Sequence, residues 1–416
     1  MQSHSIKLIP KKLPKLNSSF NRQISTSLTQ LSNTNQGSIF DQYKKYQTSN
    51  NTEETEKKED YNTGNLLPSK SFQVANVLFK QQGLSSSSVE DFKQVMDLVT
   101  KLLPIKENEN KDMNAAEIEK QVLDLCGGHA ETLYKFGNVA LQLVRLTGNT
   151  LGSTIALKMY ELSYKNGYQN AQYTYANLLH DGFKGIERNL ETSQNMMREL
   201  ADAGNPLALT KYAAWMIEAK DYSTAIKYLE KGSESGWAQA SIHLGHLYRL
   251  GNGVKEDIDT AISYYQRAID QKEIAQSHFY LGRCYAIHPT PNHEMSFKHY
   301  RIAAKQGLPE AQYNVGFCYN SGLGTKKDFT LAAEYYQMAS MQKFSLAMIN
   351  LAKLYLNGGG EEDPSFQKDP WKGVHLLKEA AKAKGPLGED AQSILDSIDF
   401  DSLPKQTDKD GKCSIM

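Results

Sequence analysis

Cysteine is scarce in this chain. Cys126, Cys284, Cys318 and Cys413 are the only four in 416 residues. None has the C-x-x-C spacing of a metal or redox site, and four scattered thiols make no disulfide framework. A reducing compartment is the simplest expectation. Excess charge of one sign is missing too, since 47 Lys and Arg face 47 Asp and Glu. That balance removes bulk attraction to nucleic acid or to anionic lipid. No apolar run approaches the ~18 residues of a membrane-spanning helix. The opening MQSHSIKLIPKKLPKLNSSF is too interrupted by Lys and Pro for a secretory signal.

Catalytic and metal-binding patterns are also missing. The run GLGTKK from Gly322 to Lys327 lacks the spacing of a phosphate loop. His243 and His246 lie three apart without an H-E-x-x-H frame or a third ligand, so no metal is expected. No Ser-His-Asp order or nucleophile elbow stands out. The expectation is a protein that is not an enzyme and carries no cofactor.

What is present is organised in four parts. Residues 1–70 are rich in Asn, Ser, Gln, Thr and Lys, and such a segment buries too little apolar surface to offset its ordering entropy. It is expected to be a disordered tail. Residues 71–129 show helical periodicity, broken at Pro104 and stopped at Gly127 and Gly128, and are expected to form an N-terminal helical cap. Residues 130–400 repeat. Residues 401–416 form a solvated tail.

The repeat is clearest from Ala311. Small Ala311, apolar Val315, small Gly316 and aromatic Tyr319 are followed by Gly322 and Gly324, then Asp328, then Ala332 and the pair Tyr335 and Tyr336. The order recurs with Ala240, Leu244, Gly245, Gly251, Gly253, Asp257, Ala261, Tyr264 and Tyr265. Units start at Thr132, Ala171, Ala208, Ala240, Ser277, Ala311, Ala347 and, weakly, Ala391, in steps of 32 to 44 residues. Periods of this size mean stacked helix pairs. A mid-helix glycine costs roughly 1 kcal/mol against alanine. Its return at offset +5 in Gly137, Gly245, Gly282 and Gly316 therefore needs a packing reason, which is close approach of the partner helix. The fold expected is all-α, a superhelical α-solenoid of stacked antiparallel pairs, because no single pair can bury both its faces. Cys284 and Cys318 fall at equivalent offsets and are expected to be core thiols.

These residues resemble the Sel-1-like repeat family, a tetratricopeptide-like repeat whose A-x-x-x-L-G-x-x-Y…G-x-G-V-x-x-D…A-x-x-Y-Y pattern is matched most closely by the units at Ala240 and Ala311. The units at Ala208, Ser277 and Ala347 depart from it in their loops. The resemblance implies a protein–protein interaction scaffold in which the first helix of each pair lines the concave face. Offsets +3 and +6 on that helix are His243 and His246, Tyr280 and Arg283, Asn314 and Phe317, Asn350 and Lys353. This polar and aromatic stripe has basic character, suited to an extended acidic peptide of a protein partner.

The two ends give competing addresses. Cys413, Ser414, Ile415 and Met416 form a C-a-a-X pattern for farnesylation at Cys413. Repeats joined to such a box resemble fungal chitin synthase activators. That resemblance implies a prenylated regulatory subunit of a membrane enzyme, held as a peripheral protein on the cytoplasmic face of a membrane. Residues 1–40 contain no Asp or Glu but carry Lys7, Lys11, Lys12, Lys15 and Arg22. This is similar to a mitochondrial presequence. The alternative is a mitochondrial protein that assists assembly of an inner-membrane complex.

Overall fold

A computed structural model describes residues 77–84, 89–103 and 114–403. The tail expected at 1–70 and the lipidation expected at Cys413 lie outside the described residues. Two compact units divide the chain. One takes residues up to 125 together with 135–156, and the other takes 126–134 and everything from 157 onward. Among the described residues the fold is helical, with one isolated bridge between Phe183 and Ile186.

The first unit contains α1 (Val89–Lys101), α2 (Ala115–Leu125) and parts of α3 (Ala130–Thr147) and α4 (Thr150–Lys165). Its core is an aromatic triad. The ring of Phe92 meets Phe79 edge-on at 5.5 Å and Phe136 at 5.4 Å, while Phe79 stacks on Phe136 at 5.9 Å. Val95, Met96 and Val99 recur at helical spacing on the buried side of α1.

The second unit is the repeat stack. Its pairs are α5 (Gln169–Asp181) with α6 (Leu190–Asp202), α7 (Pro206–Glu218) with α8 (Tyr222–Glu234), and α9 (Ala238–Leu250) with α10 (Ile258–Gln271). Then come α11 (Ala275–Ile287) with α12 (His293–Lys305), α13 (Pro309–Ser321) with α14 (Phe329–Met341), and α15 (Ser345–Asn357) with α16 (Pro370–Ala380). A single helix, α17 (Pro386–Asp396), follows. Each helix packs chiefly on its neighbours in sequence, as a solenoid requires.

Three features build each pair. The first is the glycine at offset +5. A Cβ at Gly245 would lie 2.6 Å from the ring of Tyr265, one at Gly282 would lie 2.9 Å from Tyr300, and one at Gly316 would lie 2.8 Å from Tyr336. The close approach expected from the repeat is thus a tyrosine ring of the second helix laid on the bare backbone of the first. Tyr265 and Tyr336 are fully buried there. The second feature is the cap. Asn189, Asp221, Asp257, Asn292, Asp328 and Asp369 each precede the second helix, and each side chain accepts a hydrogen bond from the backbone N–H three residues on. The backbone N–H of each of these residues donates to the carbonyl at offset +8 of the first helix: Leu179, Met216, Tyr248, Tyr285, Tyr319 and Tyr355. The third feature is the turn. Gly251 and Gly322 close their helices in the left-handed region, at φ 66° and 72°. At Gly324, a Cβ would also run into the His293 carbonyl.

Polar seams join successive pairs. Gln271 Nε2 donates to the Ser233 carbonyl at 2.6 Å, and Ser241 Oγ donates to Gln271 Oε1 at 2.8 Å. Gln342, at the same register two pairs later, donates to the Gly307 carbonyl at 3.0 Å. The insertion after α15 folds back on the stack: Phe366 stacks on Tyr355 at 5.7 Å and Glu362 pairs with Lys327.

Candidate functional site: the first-helix face of α9 to α15

The eight residues of the expected stripe do not share one environment. His246 is buried, which corrects its expected place on the exposed stripe. Its Nδ1 lies 2.6 Å from the Tyr265 hydroxyl, and its ring meets Tyr280 edge-on at 4.1 Å. The physical reason is non-local: α10 supplies one aromatic wall and α11 the other. His243 is half-buried beside it, with ring centroids 6.2 Å apart. Tyr280 is also half-buried and stacks on Tyr265 at 5.6 Å with the rings 17° apart.

Arg283 is half-buried, with its guanidinium carbon 5.9 Å from the Phe279 ring. Asn314 turns back on its own helix and donates to the Glu310 carbonyl at 2.8 Å. Phe317 is 40% exposed, a large apolar side chain on an otherwise polar stretch. Asn350 donates to the Tyr313 hydroxyl at 3.1 Å and so ties α15 to α13, and Lys353 is half-buried. The structure therefore gathers His243, His246, Tyr280 and Arg283 into one cluster, with the Asn314, Phe317, Asn350 and Lys353 positions on the next two pairs.

Sequence reasoning missed Arg249. It lies three residues beyond His246, so extending the offsets +3 and +6 by one more turn would have found it. Its guanidinium carbon is 6.0 Å from the Tyr280 ring centroid, its side chain hydrogen-bonds Tyr265, and its Nε is buried with no acceptor. Neither Arg249 nor Arg283 has an ion-pair partner among the described residues.

Electrostatics follow from this packing. Burial pushes the His243 imidazole down to about 4. Burial first, and then the charges of His243, Arg249 and Arg283, hold His246 well below its ordinary value. Both histidines are therefore neutral near pH 7, and the positive charge of the cluster resides on the two arginines. Burial also raises the Tyr280 phenol, opposed by Arg283 and Arg249 and assisted by Glu310. The same two arginines act on Cys284, whose thiol burial nevertheless pushes up to about 11. Cys318 rises to about 12 for the same reason. Both thiols are buried, as core thiols would be, and are poor nucleophiles at neutral pH.

Among the described residues no group of three His, Cys, Asp or Glu could hold a metal ion. No helix among them is long and apolar enough to cross a membrane. The face offers a cationic, aromatic-walled surface.

Comparison with known proteins agrees with this geometry. The Sel1 repeat model matches residues 169–205, 215–237, 238–273, 275–308, 309–344 and 345–384. Chitin synthase regulatory factor 3 of Schizosaccharomyces pombe is 31% identical over 118 residues, 28% of this chain and 12% of that protein. DAP3-binding cell death enhancer 1 of Rattus norvegicus is 38% identical over 203 residues, 40% of each chain. The chain spans less than half the length of the curated relatives it matches. A Sel1 repeat protein from Oxalobacter formigenes has the same fold, with a TM-score of 0.53 at 20% identity, covering 83% of this chain and 98% of that one. Six matched repeats in phase, each with its tyrosine seated on a small residue or its capped second helix, place the chain in the Sel1 repeat family.

Proposed function

We propose that this Sel1-repeat scaffold is a regulatory subunit that binds a membrane enzyme of the chitin synthase kind through the first-helix face of α9 to α15. The observation that supports this most is the repeat stack itself, in a chain similar to a chitin synthase regulatory factor. The Cys413 motif supplies a farnesyl anchor in this reading. One lipid holds a protein at a membrane only marginally, so the bound enzyme provides the second attachment. The repeat face does no chemistry. It presents side chains to a partner and thereby places or activates it.

A second reading rests on the acid-free stretch at 1–40, which suits import into mitochondria and a role in assembling an inner-membrane complex. Cytosolic prenylation and matrix import do not combine in one molecule. Intact-mass analysis of the endogenous protein separates them, because it reads both ends at once. A farnesyl increment on Cys413 with residues 1–40 retained is the result expected from the first reading. A mature N-terminus near about residue 25 and an unmodified Cys413 would replace it with the second. Affinity capture of the full chain from membranes should recover the enzyme, and a Phe317→Ser/Lys353→Gln variant should recover less of it at unchanged melting temperature.

A further inference from the structure

We propose that Arg249 and Arg283 form a clamp for a single carboxylate, an Asp or Glu side chain of an extended acidic peptide, in front of Tyr280. This rests on reading the first-helix face as the binding face, and it names the chemistry that face selects.

The two guanidinium groups come from consecutive pairs, Arg249 from the last turn of α9 and Arg283 from the middle of α11. Arg249 packs on the Tyr280 ring and Arg283 on the Phe279 ring, neighbouring residues of α11. The fields of both reach the His246 imidazole, the Tyr280 phenol and the Cys284 thiol. Aromatic rings hold them at 6.0 Å and 5.9 Å, so their positions are set before any ligand arrives. Half-buried cations would ordinarily be matched by an anion, since an unpaired buried charge is costly. Here no carboxylate among the described residues is within ion-pair distance of either. The two histidines beside them are neutral. Arg249 hydrogen-bonds the neutral Tyr265 hydroxyl, which supplies no charge, and its buried Nε has no acceptor.

The acidic group that faces the cluster is Glu310, whose charge acts on Tyr280 and whose Oε2 is buried without a hydrogen-bond partner. Its charge offsets part of the cationic field. The site therefore favours one negative charge over a phosphate dianion. A planar carboxylate can also take two parallel N–H bonds from one guanidinium, which is the geometry arginine supplies and lysine does not. Beyond the clamp, Phe317 offers an exposed apolar contact on the next pair, and Asn350 and Lys353 continue the polar stripe.

The test is fluorescence anisotropy of the full chain with a labelled Glu-Ser-Gly dodecapeptide. Its Gln-Ser-Gly and phosphoserine-Ser-Gly counterparts are run beside it. The Glu peptide should bind, the Gln peptide should lose at least about 30-fold, and the Glu affinity should fall with added salt. Arg249→Gln and Arg283→Gln should each lose a comparable factor, with Arg249→Lys and Arg283→Lys intermediate and every variant still folded at the assay temperature by circular dichroism. Equal binding of Glu and Gln peptides, or no binding of either, overturns the clamp. Tighter binding of the phosphoserine peptide overturns the carboxylate assignment. If the arginine variants still capture the membrane enzyme while Phe317→Ser/Lys353→Gln does not, the clamp fails and the binding face stands. If neither set of variants affects capture, the binding face itself falls.

Discussion

Gly245 shows how one atom sets the spacing of a pair. Its missing Cβ leaves room for Tyr265, which is fully buried and is held at its hydroxyl by His246. In Gly245→Ala the new methyl meets three ring atoms within 2.9 Å. Overpacking of this kind costs up to about 3 kcal/mol, against a gain of roughly 1 kcal/mol in helix propensity. A net loss of about 2 kcal/mol is expected in urea unfolding, and an unchanged midpoint would show that the ring can shift aside. A second residue-scale effect concerns His278 and His299. Their Nδ1 atoms lie 3.0 Å apart between α11 and α12, both rings are buried, and Tyr285 stacks on His299. One nitrogen must donate and the other accept, so the pair cannot carry two protons. Burial lowers both, His299 to about 4, although Glu273 near His278 opposes the shift there. The unfolded chain takes up protons below its ordinary value of 6.5, whereas the folded pair does not. Stability is therefore complete above pH 6.5 and is lost as the pH falls toward about 4. Half-buried His243 and buried His246 push the same way. Melting curves should accordingly show a smaller loss between pH 7 and pH 5 in a His278→Leu/His299→Leu variant than in the parent.

At the scale of the helix, the second member of each pair is anchored at its start. Asp328 illustrates the arrangement: its side chain accepts from Leu331 N–H at 2.8 Å and its own N–H donates to the Tyr319 carbonyl at 2.9 Å. One residue thus caps α14 and fastens it to the end of α13. Replacing it with alanine removes only the side-chain bond and should cost about 1 kcal/mol, whereas Asp328→Asn should be close to neutral because asparagine caps equally well. Chemical denaturation of both variants distinguishes capping from a requirement for charge. The repeat pattern made this aspartate legible as a recurring residue, since capping is local chemistry. The paired backbone bond to offset +8 was not legible, because main-chain bonds carry no residue signature. The seam made by Gln271 and Gln342 escaped notice for a related reason: glutamine reads as an ordinary surface residue until its acceptors on the preceding pair are known.

For the molecule as a whole, stability in the repeat unit is a sum of neighbour contacts rather than the product of one central core. Pairs in the middle have neighbours on both sides, whereas α17 packs on α15 and α16 and has no following repeat helix among the described residues. Hydrogen exchange should therefore show lower opening free energies in α16 and α17 than in α10 to α13, and uniform protection along the unit would contradict a nearest-neighbour stack. Period, small residues and aromatic spacing determined by themselves that the chain is a helical repeat, because these express contacts within about 40 residues that every unit must make. Burial of Cys284 and Cys318 followed from the same register. The character of the proposed binding face was decided only by tertiary structure. His246 is interior because Tyr265 and Tyr280 close over it from two other helices, and Arg249 packs on the helix that carries Arg283 because consecutive pairs stack. Periodicity reports which side of a helix faces its partner. It does not report which side chains from different units meet, and those meetings give the face its charge.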